Sequence, residues 1–350
     1  MGRKPLYISG FRPINDVARR GWRVVSGRAL VTGGHGFVGS HLAAGLLAAG
    51  TAVRVLDRPG PRQTDLGGPR ASGLDLLEVR DEVELVEADL LDAEGVAAAV
   101  AGCDSVFHLA AQTIVGVARR SPHETVDVNV RGSWNVFAAC REAAVGKVVF
   151  ASSDKAYGTA PELPYREDFP LRADHPYDSS KAAADVMARG LAREWGLSIA
   201  VSRFANVYGG GDLNFTRLVP EMAIAVADRR TPRIRSDGAP RRDFLHVDDA
   251  VSAYLAIATA LDGEGAAGEA FNAGGDRPHS VREVVDLIVE VGGAEVEPEY
   301  GPGLPAGEIL DQYLDSTKLR ELTGWAPAVD LRGGLGRTVE WYREHEEVRP

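Results

Sequence analysis

Arg28-Ala29-Leu30-Val31-Thr32-Gly33-Gly34-His35-Gly36-Phe37-Val38-Gly39 decides the fold of this 350-residue chain. Arg28–Thr32 is short and apolar and reads as a buried strand. Glycines follow at positions 33, 36 and 39, and an apolar helical pattern then runs from about Phe37 to Ala49. Strand, glycine turn and helix open a βαβ unit. Gly33, Gly36 and Gly39 let backbone approach a pyrophosphate and let the helix pack tightly on the sheet, with Phe37 and Val38 at the helix start. The helix N-terminus adds unpaired N–H groups and a partial positive charge. The alternative is a mere tight turn, and the strand before and helix after weigh against it.

The rhythm continues outward from that unit. Ala52–Leu56, Val83–Ala88, Ser105–Leu109, Lys147–Ala151 and Ser198–Arg203 read as further strands, separated by helical patterns at about 93–101, 123–144 and 177–195. Alternation of this kind predicts an α/β fold with a doubly wound parallel sheet of the Rossmann type. After Asn206 the glycines 209–211 and several prolines break the rhythm, and a smaller α/β lobe is expected. The expected organisation is an arm over 1–27, a dinucleotide-binding domain over 28–205 with a segment at about 243–273 returning to it, and a second lobe over 206–350. Pro59–Ser72 reads as a loop. Asp57 ends the second strand, where a carboxylate accepts hydrogen bonds from a ribose diol and repels a 2′-phosphate, so NAD is favoured over NADP. Arg58 is a mild signal the other way. Asp89-Leu90 and His108-Leu109-Ala110-Ala111-Gln112 follow the third and fourth strands, where a dinucleotide lying across the strand ends would touch the chain. A structural role is the better reading of His108 alone.

Composition sets outer bounds. Hydrophobic content of 45% and charged content of 25% are ordinary for a globular protein. A net charge of -11 argues against nucleic acid and anionic membrane as partners. The two cysteines, Cys103 and Cys140, do not form a disulfide framework and fit a reducing cytoplasm. No apolar run is long enough for a transmembrane helix. The basic stretch 1–27 lacks the apolar core of a signal peptide. No metal site is expected.

The chemistry is carried by Ser152-Ser153-Asp154-Lys155 and by Tyr177-Asp178-Ser179-Ser180-Lys181. Tyr177 and Lys181 are four residues apart and share a helix face. A phenol with a pKa of about 10 is a poor base at neutrality, and a nearby ammonium lowers that pKa. The pair can then take a proton from a sugar hydroxyl while hydride leaves the same carbon. Such a pair arises by chance on many long helices, so its weight comes from its company. Asp154 adds an acid that simple alcohol oxidation does not require.

Together these motifs resemble the extended short-chain dehydrogenase/reductases and, within them, the nucleotide-sugar epimerases and dehydratases, over about residues 28–345. Arg203-Phe204-Ala205-Asn206-Val207-Tyr208-Gly209, Arg242-Asp243-Phe244-Leu245-His246-Val247 and Leu322-Thr323-Gly324-Trp325 resemble later motifs of that family. The resemblance implies Tyr177 as base, Lys181 holding the nicotinamide ribose and tuning Tyr177, and Ser153 bonded to the reacting hydroxyl. It implies Asn129 on the cofactor, Gln112 and Ser152 on the substrate, and Asn206 and Arg242 at a substrate diphosphate. A second diphosphate-binding Arg, usual before a Gly-Asp pair, is missing from Leu304-Pro305-Ala306-Gly307-Glu308, and Arg217 is its candidate substitute. A homodimer paired through the helices at about 123–144 and 177–195 is also implied; the alternative is that both apolar faces bury on the sheet.

Such enzymes oxidise C-4 of an NDP-sugar with NAD. A 4-epimerase then needs no further acid or base, whereas a 4,6-dehydratase needs a base near C-5 and an acid near C-6. Asp154 and Lys155 stand where that second pair belongs. Asp-Lys, with Asn206–Asp212, resembles the CDP-glucose 4,6-dehydratases; Arg242-Asp243-Phe244 reads more like the epimerases. Beside Asp154, Lys155 suits an electrostatic stabiliser better than a base, and a loop-shaping ion pair is the bland alternative. The reading favoured is an NDP-hexose 4,6-dehydratase, with a 4-epimerase second. A net-redox reductase and a catalytically silent nucleotide-binding regulator rank lower, because Tyr177, Lys181 and Ser153 are all present.

Overall fold

The strand that precedes the glycine turn lies within a seven-stranded parallel sheet. The computed structural model describes residues 27–58, 71–275, 277–304 and 309–350. The strands are β1 (Arg28–Thr32), β2 (Ala52–Asp57), β3 (Glu84–Glu87), β4 (Ser105–His108), β5 (Lys147–Ala151), β6 (Ile199–Phe204) and β7 (Ala270–Ala273). They are ordered β7-β6-β5-β4-β1-β2-β3. The chain winds from β1 outward through β2 and β3, then crosses to β4 on the other side of β1. Ligands of such sheets bind at this reversal, outside the carboxyl ends of the strands. Register aligns those ends: Thr32 pairs with Leu56 on one side and His108 on the other.

Alternation along the strands divides the core. Val31, Val55, Phe107 and Val149 face helices α1 (Phe37–Ala48) and, farther along the chain, Val247–Ala260. Their neighbours Leu30, Leu56, Val106, Val148 and Phe150 face α2 (Ala93–Val100), α3 (Gly132–Glu142) and α4 (Pro176–Trp195). A side-chain period of two does this in any strand buried on both faces. A third apolar cluster joins α5 (Leu218–Ala227), α7 (Val281–Gly292) and α8 (Leu331–Glu344) to Tyr208 and Phe244 and forms the second lobe's core, with α6 being Val247–Ala260. The chain returns from that lobe: Phe244–His246 pairs parallel with Asn206–Tyr208, leads into α6 on the first core, and β7 then adds to the edge of the main sheet beside β6.

The helical pattern at 123–144 is not one uninterrupted α-helix. Pro122–Val126 is α-helical, Asp127–Arg131 is a wider π turn, and α3 follows. The Asn129 side chain explains the local widening: it bonds the Gln112 backbone in both directions, accepting from the N–H at 2.7 Å and donating to the carbonyl at 3.0 Å. A π turn lets one residue step out of helical register to reach such partners. The expected arm at 1–27, save Gly27, residues 59–70 of the expected loop, and Pro305–Glu308 lie outside the described residues. Among the described residues no helix is long and apolar enough to cross a membrane.

Candidate active site

The glycine turn is built to be close-packed. Gly33 has φ +76°, and a Cβ there would stand 2.9 Å from the Ala110 backbone. A Cβ on Gly39 would stand 2.3 Å from the Gly33 carbonyl oxygen. The turn between them runs into α1, whose N-cap Gly36 makes no side-chain cap and whose first turn carries no acidic residue. Open N–H groups and a positive helix end therefore face the strand edge. At the end of β2 the Asp57 carboxylate accepts from the N–H groups of His35 (3.0 Å) and Arg58 (2.9 Å), which ties it to the turn. Arg58 is exposed beside it. This cradle and its carboxylate fit a pyrophosphate and ribose diol.

The neighbouring strand ends are braced. The Asp89 carboxylate accepts from Leu91 N–H, the Leu90 carbonyl from Asn135, and Ala110 N–H donates to Thr32 Oγ1. Leu109 packs against one core and Ala110 against the other, and Ala111 is half-buried beside them. His108 is fully buried between Thr32 Oγ1 (2.7 Å) and Ser133 Oγ (3.0 Å), and burial pushes its pKa down to about 3. It is a neutral strut between β1, β4 and α3. Asn129 also donates to Ser180 Oγ on α4 at 2.9 Å. The Gln112 side chain is folded onto Ile114 and Thr125. In this arrangement both amides fasten the loop after β4.

Ser153, two residues past the end of β5, caps a short turn over Asp154–Tyr157, accepting from Lys155 N–H at 3.2 Å. This turn packs against the first turns of α4, where Pro176 occupies the first helical position. Tyr177, Lys181 and Ser153 thereby meet. Tyr177 shares a hydrogen bond with Ser153. The Lys181 ammonium lies over the Phe150 ring, 4.9 Å from its centre. Burial pushes Tyr177 up to about 12, opposed first by the charge of Arg217 and then by Ser153. Burial pushes Lys181 down to about 8, opposed by Asp185. The sequence pointed to Lys181 as the cation that lowers the phenol. In the structure the charge that lowers the Tyr177 pKa most is that of Arg217. Arg217 precedes α5 and pairs with Asp212 at 3.1 Å while 42% of its side chain stays exposed, so it brings the second lobe's charge to the Tyr177 end of the cleft.

Asp154 is 3% exposed. Its Oδ1 accepts from Ser153 Oγ at 3.1 Å, and its Oδ2 is closed off from solvent without a partner. Burial raises its pKa, against the charges of Lys155 and Arg242 and the Ser153 hydrogen bond. Ser152 Oγ is likewise buried and unpartnered. Buried side-chain oxygens without a partner are uncommon in a folded interior. Lys155, half-buried, faces both Asp154 and Asp178. Arg242 donates to the carbonyls of Ile309 and Leu310 at 2.6 and 2.8 Å, and Asn206 Nδ2 donates to the Asp243 carbonyl at 3.1 Å.

Asp243 was missed by sequence reasoning, although it sits inside a quoted motif. Its buried carboxylate accepts from the N–H groups of Gly275 (2.6 Å) and Leu314 (3.3 Å), fastening the segment that leaves β7 and the segment at Leu314 to the Arg242 strand. Burial pushes it up to about 7. A cavity of about 610 Å³ opens elsewhere, between α7 and the start of α8. Neither Tyr177 nor Lys181 lines it, and Arg332 and Glu290 at its wall are already paired at 2.6 Å. It is not the reacting cleft.

Comparison with known proteins agrees with this geometry. The UDP-glucose 4-epimerase of Mycolicibacterium smegmatis is 36% identical over 328 residues, 91% of this chain and 100% of that protein. The dTDP-glucose 4,6-dehydratase of Streptomyces griseus is 33% identical over 316 residues, 90% of this chain and 94% of that protein. The crystal structure of DesIV, a dTDP-glucose 4,6-dehydratase from Streptomyces venezuelae with NAD bound, superposes with a TM-score of 0.81 at 30% identity, covering 91% of this chain and 98% of that one. These relatives are named for UDP- and dTDP-glucose, and none of the three for the CDP-glucose that the Asp-Lys pair suggested. Residues 29–274 match the sequence model of the NAD dependent epimerase/dehydratase family, and the chain belongs to that family of NAD-dependent nucleotide-sugar enzymes.

Proposed function

We propose that the protein is an NDP-hexose 4,6-dehydratase. The observation that carries this reading is Asp154, a buried carboxylate with one unpartnered oxygen, raised in pKa and placed beside Ser153 and Lys155. An epimerase has no use for a shielded acid at that point. Bound NAD supplies reversible hydride acceptance at C-4. The glycine turn and Asp57 hold it, and Arg58, Asp89 and Leu90 flank it. Tyr177 takes the proton from the C-4 hydroxyl, with Ser153 bonded to the same oxygen and Lys181 beneath. Arg217 supplies the positive charge that makes a buried phenolate accessible, and with Arg242 and Asn206 it faces the substrate's diphosphate side. The ketone at C-4 acidifies C-5. Lys155 in its amine form takes the C-5 proton, and the ammonium so formed stabilises the enolate. Asp154, kept protonated more readily by burial, gives its proton to the C-6 hydroxyl, which leaves as water, and Ser152 orients that hydroxyl. As the hydride returns to C-6, C-5 takes its proton back from Lys155.

A 4-epimerase is the second reading, supported by the M. smegmatis relative. The test is a mass-spectrometric screen of the protein with NAD and dTDP-, UDP- and CDP-linked glucose. Loss of one water without net NADH establishes the dehydratase and names its nucleotide; an isomer of unchanged mass refutes it and returns Asp154 to a structural role. In the active pairing, Asp154→Asn is expected to keep C-4 oxidation, seen as transient NADH absorbance, and to lower water loss by about two to four orders of magnitude. Tyr177→Phe is expected to abolish both.

A further inference from the structure

Farther along α4 from the Tyr177–Lys181 turn lies a fully buried charged cluster. Asp185 stands one helical turn past Lys181. Both its oxygens are taken by Arg203 of β6, Nε to Oδ2 and Nη2 to Oδ1, each at 2.8 Å. Both side chains are 0% exposed. The fork is held from its other side too. Arg203 Nη1 donates to the Tyr157 hydroxyl at 2.9 Å, and that hydroxyl donates to Asn272 Oδ1 of β7 at 2.8 Å. The guanidinium lies 4.9 Å from the Tyr157 ring centre, and Tyr157 stacks on Tyr165 at 4.8 Å. Asn272 Nδ2 donates to the Tyr165 and Asp315 carbonyls. Four parts of the fold thus meet on one ion pair: the catalytic helix, β6, the turn after β5 and β7.

A buried ion pair is weak support for stability, since well-packed apolar residues often serve as well. A bidentate pair does give a fixed direction. We propose that Asp185 and Arg203 are positioning residues for Lys181: the pair locks the α4 turn that carries the lysine, and the charge left on Asp185 after Arg203 has taken its share fixes how readily Lys181 gives up its proton. The titratable groups that Lys181 feels across this interface are Asp185 from its own helix and neutral His108 from β4, with the Phe150 ring of β5 against the ammonium. Arg203 acts through Asp185. Without Arg203 the buried Asp185 carboxylate would keep its charge by turning to Lys181, the cation one turn away on its own helix; without Asp185 only burial and the uncompensated guanidinium would act on Lys181.

The inference rests on the placement of Lys181 at the reacting centre, and its test does not depend on turnover. The chain has five lysines, at 4, 147, 155, 181 and 318, so the protein labelled with ¹³C at lysine Cε gives a sparse spectrum, and Lys181→Arg assigns its signal. The Lys181 midpoint is then read against pH in the full chain with NAD. Asp185→Asn is expected to lower it and Arg203→Gln to raise it, each by about half a unit or more, as removal of an opposite or a like charge requires. Asp185→Asn alone strands a buried guanidinium and is prone to unfold. The double variant Asp185→Asn/Arg203→Gln strands no charge and is expected to fold and to lower the midpoint as well. Shifts of opposite sign for the two single changes, or the drop in the double variant where a single one unfolds, establish the role. Midpoints that do not move in a folded variant, or that move the same way in both, overturn it. Failure of the sugar screen leaves this measurement standing, so the two readings fail separately.

Discussion

Single residues in this site are governed by burial before they are governed by charge. Asp243 shows it away from the reaction. Burial pushes its carboxyl up to about 7, above the ordinary carboxylate value, despite two backbone N–H donors. In the unfolded chain the group ionises near pH 4. A carboxyl raised on folding binds its proton more tightly in the native state, so its contribution is complete below about pH 4 and is lost as pH rises through about 7. Asp243→Asn removes that loss while keeping an acceptor for one N–H. Thermal melting of both proteins from pH 4 to 8 is expected to show a wild-type stability falling across that window more steeply than the variant's. Equal slopes would mean that Asp243 is ionised throughout. Tyr177 carries the same lesson into the cleft: its phenol is high as it stands, and the charge of Arg217 is what pulls it back toward use.

At the scale of elements, the glycine turn is the least forgiving. Gly33 combines a left-handed backbone with backbone atoms where a Cβ would go. Gly33→Ala is expected to cost about 1–3 kcal/mol of stability and to weaken NAD binding at least tenfold, read by melting temperature and by titration with the dinucleotide; unchanged NAD affinity would show that the turn does not hold it. This turn was also the easiest part of the fold to see in the sequence. Strands buried on both faces write themselves as short apolar runs, and glycine marks where a side chain has no room. Tyr177, Ser153 and Asp154 were legible for a similar reason, since each sits at a fixed distance from a strand end or within one helical turn. The π turn at Asp127–Arg131 was not legible: one inserted residue leaves the apolar pattern of a helix nearly unchanged, and its cause, Asn129 reaching Gln112, lies in another element. The Asp185–Arg203 pair was hidden in the same way, because nothing local in either segment says that the two face each other in the dry.

For the whole molecule, the two helical segments flanking the turn after β5 matter beyond the site. Val126 and Trp134 on one and Val186 on α4 are 47%, 43% and 60% exposed, three of the six large apolar side chains most open to solvent among the described residues. We propose that they meet a second copy of the chain in a homodimer, for which burying three such side chains would supply several kcal/mol. Val186→Glu is expected to turn a dimer into a monomer in light scattering at micromolar concentration; a wild-type protein that is already monomeric there refutes the interface.

The route of the backbone has a different consequence. The main sheet's last strand, β7, arrives only after the chain has gone out through Asn206–Tyr208, come back through Phe244–His246 and laid down α6. The second lobe is therefore sewn into the first and cannot be lifted out as a cassette. A relative with another sugar preference cannot be imitated by exchanging one contiguous block after residue 205, because the exchange would carry off α6 and the edge of the sheet. New specificity must come instead from substitutions and from loops lengthened between the stitches, which leaves the cofactor half of such enzymes a fixed companion of whatever sugar the other half learns to read.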